Sequence, residues 1–310
     1  MNAAAATASA AVLRRAYDAC TQLARAHYEN FPVASVLLPR RMRPAIAAVY
    51  AFARRADDFA DEPGYTPAER IRLLDDWQRR LDEATAGKVS AATANDLIFV
   101  AVADAIRQHD LPVSLFSDLL SAFRQDVTTT RYERWEDVLD YCSRSANPVG
   151  RLVLRIAGYR DEALDRSSDA LCTALQLTNF WQDFARDWQN GRLYVPRADH
   201  ESRGAREADL EIALGGRRPP HASNQRALPA EWRSALREMS RRTRELFAEG
   251  RPVCDRVRGR LRYELRLTWH GGFRILERLE QSDFDVLHRP ALGARDAAPI
   301  LWRTALWTGA

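Results

Sequence analysis

The main feature of the sequence is the return of apolar residues every three or four positions, which is typical of helices with one buried face. Ile46, Val49 and Ala53 recur at this spacing, and TPAE at residues 66–69 has the spacing of a capping box. No convincing alternating β-strand pattern is found. The pattern predicts an all-α protein, with helices at residues 44–61, 67–81, 95–109, 113–123, 135–143, 148–158, 162–188, 229–249, 252–271 and 273–281.

One long loop interrupts this pattern at about residues 191–228, where Gly, Pro, Ser and Asn cluster around a short predicted helix at 207–214. The helices on both sides have the same composition, and no repeat separates them. We therefore predict a single domain over residues 16–285 with a surface loop. Residues 1–15 are Ala-rich and are expected to form a flexible N-terminal tail, and residues 286–310 form a C-terminal segment.

Composition excludes several classes of protein. The 310 residues are 46% hydrophobic, and 46 basic residues against 42 acidic ones give a net charge of only +4, with Arg interspersed among Asp and Glu. This indicates a globular protein without a nucleic-acid partner. Four widely separated cysteines suggest neither a zinc site nor disulfides. Without a secretory signal or an apolar run of about 18 residues, we expect a cytoplasmic protein, with peripheral contact at the inner membrane left open.

Two pairs of aspartates carry the candidate chemistry. Asp57 and Asp61 are four residues apart and share one helix face, and Asp183 and Asp187 repeat the arrangement. Such pairs are common on solvated faces, but both lie in strongly apolar helices, so we expect the carboxylates to face the interior. Four carboxylates facing one another would need divalent cations, and Mg²⁺ prefers carboxylate oxygens together with substrate phosphates. The pairs favour a magnesium-dependent diphosphate site.

Other polar residues flank these aspartates. Gln176 and Asn179 share the face of Asp183, where they orient a carboxylate, a metal-bound water or the substrate, or else bond to a neighbouring helix as buried amides. The guanidinium groups of Arg54 and Arg192 suit phosphate oxygens, with surface exposure as the alternative. Asp58 points elsewhere and is expected to be a structural partner.

Three blocks of the sequence resemble the squalene/phytoene synthase family, the head-to-head prenyl synthases. They are YAFARRADDFADE at residues 50–62, YCSRSANPVG at 141–150 and QLTNFWQDFARDWQNGRLYVP at 176–196. The resemblance spans about residues 25–280. It implies a helical bundle of the isoprenoid synthase type with a central active-site cavity, an isoprenoid diphosphate substrate and Mg²⁺ as cofactor.

The resemblance also implies roles for individual residues. Tyr141 matches a family tyrosine near the reacting carbons, where its ring would stabilise a carbocation and its hydroxyl would direct a proton or water; packing alone is the alternative. Arg54 and Arg192 match positions that contact diphosphate, and Gln176 and Asn179 are assigned with them. The expected metal ligands are Asp57, Asp61, Asp183 and Asp187.

Within the family, NPVG and above all NFWQD resemble the hydroxysqualene synthase branch of bacterial hopanoid biosynthesis. Gln182 stands where other members usually carry an Arg, and a neutral amide cannot hold diphosphate as a guanidinium does. This branch implies a lyase that converts presqualene diphosphate and water into hydroxysqualene and diphosphate, with substrate handed over from a presqualene diphosphate synthase. Gln182 would either hydrogen-bond to water near the cation or only weaken the binding of diphosphate.

Two alternatives remain open. One is a condensing prenyltransferase that makes presqualene diphosphate, squalene or phytoene, and the other is a non-catalytic scaffold of the same fold. Trp302 and Trp307 in the C-terminal segment either touch a bilayer or pack back on the bundle. The sequence favours packing.

Overall fold

The computed structural model describes residues 9–26, 37–61, 63–214 and 228–307. Within these ranges every regular element is helical, apart from one isolated bridge between Arg131 and Leu193, so the all-α prediction is confirmed. None of the helices described there is long and apolar enough to cross a membrane. The helices are α1 (Ala10–Ala26), α2 (Arg43–Asp61), α3 (Pro67–Thr85), α4 (Ala94–His109), α5 (Val113–Thr128), α6 (Trp135–Ser145), α7 (Asn147–Ala157), α8 (Glu162–Gln182), α9 (Phe184–Gln189), α10 (Arg197–Glu201), α11 (Glu207–Leu214), α12 (Ala230–Arg256), α13 (Arg260–Gln281) and α14 (Ala294–Leu306).

The predicted tail and loop are only partly correct. Helix α1 begins at Ala10, so residues 10–15 are helical, while residues 1–8 lie outside the described residues. In the predicted loop, α11 confirms the expected helix at 207–214, and α10 adds one that was not predicted. Residues 215–227 lie outside the described part of the chain.

The predicted break before Pro252 is wrong, because α12 continues through it to Arg256. Proline removes a main-chain donor and disturbs the turn before it. The hydroxyl of Ser167 compensates: it accepts from the amide of Val253 at 2.8 Å and lies 3.1 Å from the carbonyl oxygen of Gly250. The break expected at 272 is also wrong, since α13 is continuous to Gln281.

The described chain divides into two compact units. The first contains the residues up to Thr128 together with Arg144–Asp165, and the second contains Thr129–Ser143 and the residues from Arg166 onward. The single domain over residues 16–285 stays a prediction, and that range includes residues of both units. Helix α14, in the predicted C-terminal segment, belongs to the second unit.

The core of the first unit fixes α2. Phe52 packs edge-on against Phe116 at 5.3 Å and lies 5.9 Å from Trp77, which contacts Phe99 at 4.4 Å between ring centroids. Helix α3, which supplies Trp77, begins with the predicted capping box of Thr66 and Glu69. Large aromatic contacts of this kind dominate core energetics. They hold the helix that carries the first acidic pair.

The core of the second unit fixes α8. Helix α12 approaches α8 so closely at Gly250 that a Cβ there would lie 2.7 Å from the main-chain nitrogen of Leu171. Near the other end of α8, Trp181 is fully buried, and its indole nitrogen donates to the hydroxyl of Thr243 at 3.0 Å. A buried Trp with a satisfied donor fixes both the depth and the rotation of its helix. These contacts position the second acidic pair.

Candidate active site

The first acidic motif lies at the end of α2. The guanidinium of Arg54 contacts both Asp57, at 3.4 Å, and Asp58, at 2.8 Å. Arg55 reaches the other oxygen of Asp58 at 3.6 Å. Asp58 is buried, so two cations compensate its charge. This arrangement agrees with the structural role expected for Asp58.

The expected burial of all four motif carboxylates is wrong. Asp183 is buried, Asp57 and Asp187 are half-buried, and Asp61 is exposed. Asp61 is the last residue of α2, where the helix ends in the exposed turn that precedes α3. Three of the four side chains therefore reach solvent.

A cavity of about 200 Å³ adjoins the first motif within the first unit. Its polar lining residues are Tyr50, Arg54 and Asp57, and burial raises the pKa of the Tyr50 phenol above its usual value. The volume is below the roughly 300–1,000 Å³ of typical ligand pockets. The apolar walls come from α2, α5 and α7: Ile46, Val49, Ala53, Phe123, Val149, Leu152, Val153 and Ile156.

The second acidic motif lies where α8 gives way to α9, which corrects the predicted unbroken helix over residues 162–188. Asp183 stands between the two helices. Main-chain hydrogen bonds still link Asp183 to Asn179 and Asp187 to Asp183, both at 2.8 Å. The two aspartates thus keep nearly helical spacing although the helix is interrupted.

Residues far along the chain contact this motif. The buried carboxylate of Asp183 accepts hydrogen bonds from the guanidinium of Arg289, and the side-chain amide of Gln182 donates to the carbonyl oxygen of Pro290 at 2.5 Å. Sequence reasoning missed Arg289 and Pro290. No signal singled them out, because Arg is abundant in this chain and neither residue lies in a motif.

Other predicted residues of the second motif differ in exposure. Gln176 is half-buried and Asn179 is exposed, so the alternative of a buried amide is wrong for Asn179. Arg192 is half-buried, and its main-chain nitrogen donates to the carbonyl oxygen of Asp187 at 2.8 Å. That bond places Arg192 directly after the second acidic pair.

A turn at Gly191 brings the chain back toward α8. Gly191 has φ +82°, a left-handed conformation that favours glycine. The next residues are then fixed by the hydrogen bond from the nitrogen of Leu193 to the carbonyl oxygen of Thr130, at 3.0 Å. Tyr194 consequently stacks on Phe180, with ring centroids 3.6 Å apart and planes at 4°.

Four rings form an aromatic cluster in the second unit, consisting of Tyr132, Tyr141, Phe180 and Tyr194. Tyr141 is buried and lies 5.9 Å from Tyr132 and 6.1 Å from both Phe180 and Tyr194, between centroids. The faces of such rings attract cations. Tyr141 thus contacts Phe180 on the helix that leads into the second acidic motif. Sequence reasoning missed Tyr132 and Tyr194, although Tyr194 lies within the third matching block.

The side chains of the acidic motifs fit a cation whose coordination is completed by oxygens of a substrate. Within the described ranges, no three His, Cys, Asp or Glu side chains converge to hold a metal. Mg²⁺ commonly takes one or two carboxylates and completes its coordination with phosphate oxygens and water. The buried Nε of Arg54, which has no hydrogen-bond partner among the described residues, would suit a nearby anionic oxygen. The residues thus fit Mg²⁺ brought together with a diphosphate.

Comparison with known proteins identifies the family. The sequence model described as Squalene/phytoene synthase matches residues 24–296. The chain belongs to the squalene/phytoene synthase family. A hydroxysqualene synthase of Sinorhizobium fredii is 34% identical over 260 residues, covering 82% of this chain and 80% of that protein. A second hydroxysqualene synthase, from Zymomonas mobilis, is 40% identical over 183 residues, which are 59% of each chain.

Solved structures support the same family. The crystal structure of a squalene synthase from Alicyclobacillus acidocaldarius has a TM-score of 0.78 and 37% identity, and the match covers 89% of this chain and 97% of that one. The fold is therefore that of the isoprenoid synthases of this family. The relatives carry two different reaction names at similar identity, so identity alone does not distinguish between the reactions.

Proposed function

We propose that the chain is a magnesium-dependent enzyme that converts presqualene diphosphate and water into hydroxysqualene and diphosphate, a step of bacterial squalene and hopanoid biosynthesis. The observation that carries this proposal is the aromatic cluster, which Phe180 joins to the helix of the second acidic motif. It combines a surface for a carbocation with a motif suited to a diphosphate. The two hydroxysqualene synthase relatives and Gln182 favour this reaction over others of the family.

The reaction needs no redox partner. The bond between the substrate carbon and the diphosphate oxygen breaks, and its electron pair leaves with diphosphate. The resulting cyclopropylcarbinyl cation rearranges and opens. Water then forms a new carbon–oxygen bond with the final cation and releases one proton, so the atoms and charges balance.

The polar residues act on the leaving group in this proposal. Mg²⁺, when bound, supplies positive charge that stabilises the diphosphate as it departs. Arg54 and Arg192 bind diphosphate oxygens, and Gln176 and Asn179 orient the ligands around them. The carboxylates that would hold the metal are Asp57, Asp61, Asp183 and Asp187.

The remaining residues act on the cation. In this proposal the cation lies against the aromatic cluster of Tyr132, Tyr141, Phe180 and Tyr194, which stabilises positive charge without providing a strong nucleophile. The amide nitrogen of Gln182 bonds to Pro290. Its proposed role is therefore to position Arg289, the residue before Pro290, against Asp183.

Product analysis tests the proposal. Purified protein is incubated with Mg²⁺ and either presqualene diphosphate or farnesyl diphosphate, without reductant, and products are identified by mass spectrometry. Hydroxysqualene from presqualene diphosphate, suppressed by EDTA, is the expected result. Asp183→Asn and Asp61→Asn should abolish turnover, whereas Asp76→Asn, at an exposed acid of α3, should not. Normal activity in either motif variant would remove that carboxylate from the mechanism.

The other outcomes identify the alternatives. Formation of a condensed product from farnesyl diphosphate would make the protein a condensing synthase and would show that Gln182 does not distinguish the hydroxysqualene synthase branch. No product from either substrate, with a folded protein confirmed by circular dichroism, would favour the scaffold.

A further inference from the structure

Helix α14 presents an exposed apolar face. Leu301, Trp302 and Leu306 are 57%, 67% and 53% exposed. Seven large hydrophobic residues in the described ranges are exposed, and the three on this helix are among the four that are more than half exposed. Scattered exposed apolar residues are normal on a protein surface, but a cluster on one face marks a contact surface.

The opposite face of α14 packs on the rest of the second unit. Ile300 and Thr304 are buried one turn apart, and Trp307 packs edge-on against Trp269 at 5.8 Å and His270 at 5.3 Å. The sequence prediction that both tryptophans pack back is therefore right for Trp307 and wrong for Trp302. Leu301 and Trp302 lie on the outer side of the helix, as their exposure shows.

The outer side of α14 carries no exposed acid. Asp296 is the single carboxylate in the helix; it is buried and paired with Arg274 and Arg278. Arg295 is exposed, and Arg303 is half-exposed. The surface is thus apolar with a basic border.

A second feature lies at the same end of the unit. We define the basic turn as Arg256, Arg258 and Arg260, all exposed, between α12 and α13. Trp307, directly after α14, lies beneath the guanidinium groups of Arg251 and Arg266, at 4.5 Å and 4.6 Å, and so contacts the two helices that this turn connects.

Tyr263 adds an exposed aromatic ring near the basic turn. Its side chain is 47% exposed. It precedes Arg266 by three residues and His270 by seven, so it shares the face of α13 on which Trp307 packs. The ring of Tyr263 thus lies one helical turn from Arg260 of the basic turn.

We propose that the outer face of α14 and the basic turn dock on a lipid bilayer that contains anionic headgroups. An amphipathic helix binds a bilayer by placing Leu and Trp at the boundary between headgroups and acyl chains, while arginines attract the negative surface. A second copy of this chain is a poorer match, because a symmetric pairing would bring two sets of arginines to the same interface. The surface is independent of the proposed reaction.

Vesicle co-sedimentation without substrate tests this surface. The full chain is mixed with vesicles of phosphatidylcholine alone or of phosphatidylcholine with phosphatidylglycerol. We expect clear binding to the anionic vesicles, weaker binding to the neutral ones, and loss of the difference at high salt. Protein that stays in the supernatant with both would overturn the proposal.

Matched variants locate the contact. Trp302→Ser combined with Leu306→Ser should reduce partitioning about tenfold or more on both vesicles, whereas Ile212→Ser, 66% exposed on α11, should not. Arg258→Gln with Arg260→Gln should lose about fivefold per arginine, on anionic vesicles only. Arg134→Gln with Arg206→Gln is the matched charge control, since these side chains are 68% and 76% exposed elsewhere.

Two further results would contradict the proposal. One is vesicle binding by the α14 variant equal to that of the wild type, with circular dichroism confirming that both are folded. The other is a dimer in sedimentation velocity that the α14 variant abolishes, which would assign the face to self-association.

Discussion

The guanidinium of Arg289 holds the carboxylate of Asp183, 106 residues earlier in the chain, with Nη2 3.3 Å from Oδ2. Asp183 is buried, and a buried carboxylate is costly without a compensating cation. The segment after α13 is therefore electrostatically tied to the second acidic motif. Experiments on the second acidic motif should therefore include variants of this segment.

Arg289→Gln should lower the free energy of unfolding by about 1–2 kcal/mol, between the values for exposed and buried ion pairs, because Arg289 is half-exposed. In an Asp183→Asn background the same change should cost much less. Chemical denaturation of the four proteins of this cycle measures the coupling. The exposed pair Arg237 and Asp283 serves as the control. Strictly additive effects at Arg289 and Asp183 would contradict the electrostatic coupling between these two residues.

Gln182→Arg should keep hydroxysqualene as the product. The observed partner of Gln182 is a main-chain carbonyl oxygen, that of Pro290, and a guanidinium can donate to it as well. Gln182→Glu, which removes the donor, should reduce turnover. Mass spectrometry of the products decides: a new product from Gln182→Arg would show that the amide acts at the reacting atoms instead.

Tyr141→Phe should retain most of the activity, whereas Tyr141→Leu should lower kcat about tenfold or more, because a ring face is worth roughly 1–2 kcal/mol to a desolvated cation. Phe247→Leu, in the core of the same unit, is the control for lost packing. It should reduce stability without changing the products. A large loss in Tyr141→Phe would assign the chemistry to the hydroxyl.

Gly250→Ala should destabilise the protein by about 1–3 kcal/mol, because the new methyl group would overlap the main chain of Leu171, which cannot easily move. Gly271→Ala is the matched control in α13, where the nearest atom is Leu292 Cδ1 at 3.6 Å. We expect that change to be neutral or stabilising, by up to about 1 kcal/mol. Thermal unfolding compares the two, and equal melting temperatures would contradict the close approach.

Glu238 should make stability depend on pH between 4.5 and 2. Hydrogen bonds from Arg241 and then Arg242 lower the pKa of Glu238 from 4.5 to about 2, with Arg203 also 3.9 Å away. A lowered pKa stabilises the folded state above the unfolded value, and this contribution is lost as the pH falls toward 2. Glu238→Gln should therefore be less stable than wild type at pH 7, by no more than about 1 kcal/mol for this partly exposed group.

Denaturation at a series of pH values checks this expectation. The difference between Glu238→Gln and wild type should shrink below pH 4.5 and vanish near pH 2. A difference that stays constant across this range would show that the variant acts through packing.

Local signals in the sequence predicted most helices because they agree with the tertiary structure. The capping box of Thr66 and Glu69 and the apolar spacing around Val49 depend on neighbours within a few residues. The errors came from long-range contacts. Pro252 remains inside a helix because Ser167, distant in sequence, bonds to the disturbed turn.

The candidate site divides in the same way. The acidic pairs were found because their spacing is local, and Tyr141 was found through the resemblance. Arg289 was missed because its contact with Asp183 is set by the path of the chain after α13. The burial of the carboxylates was mispredicted because helical spacing places Asp57 and Asp61 on one face but cannot say whether that face meets solvent.

The division into two units also determines when the first unit can finish folding during translation. Residues 129–143 belong to the second unit, yet they leave the ribosome before Arg144–Asp165, which complete the first. Helix α7 supplies Val149, Leu152, Val153 and Ile156 to the cavity wall beside Arg54 and Asp57. The first unit therefore cannot close its cavity during translation until part of the second has emerged, and a fragment ending at Thr128 would leave that wall open.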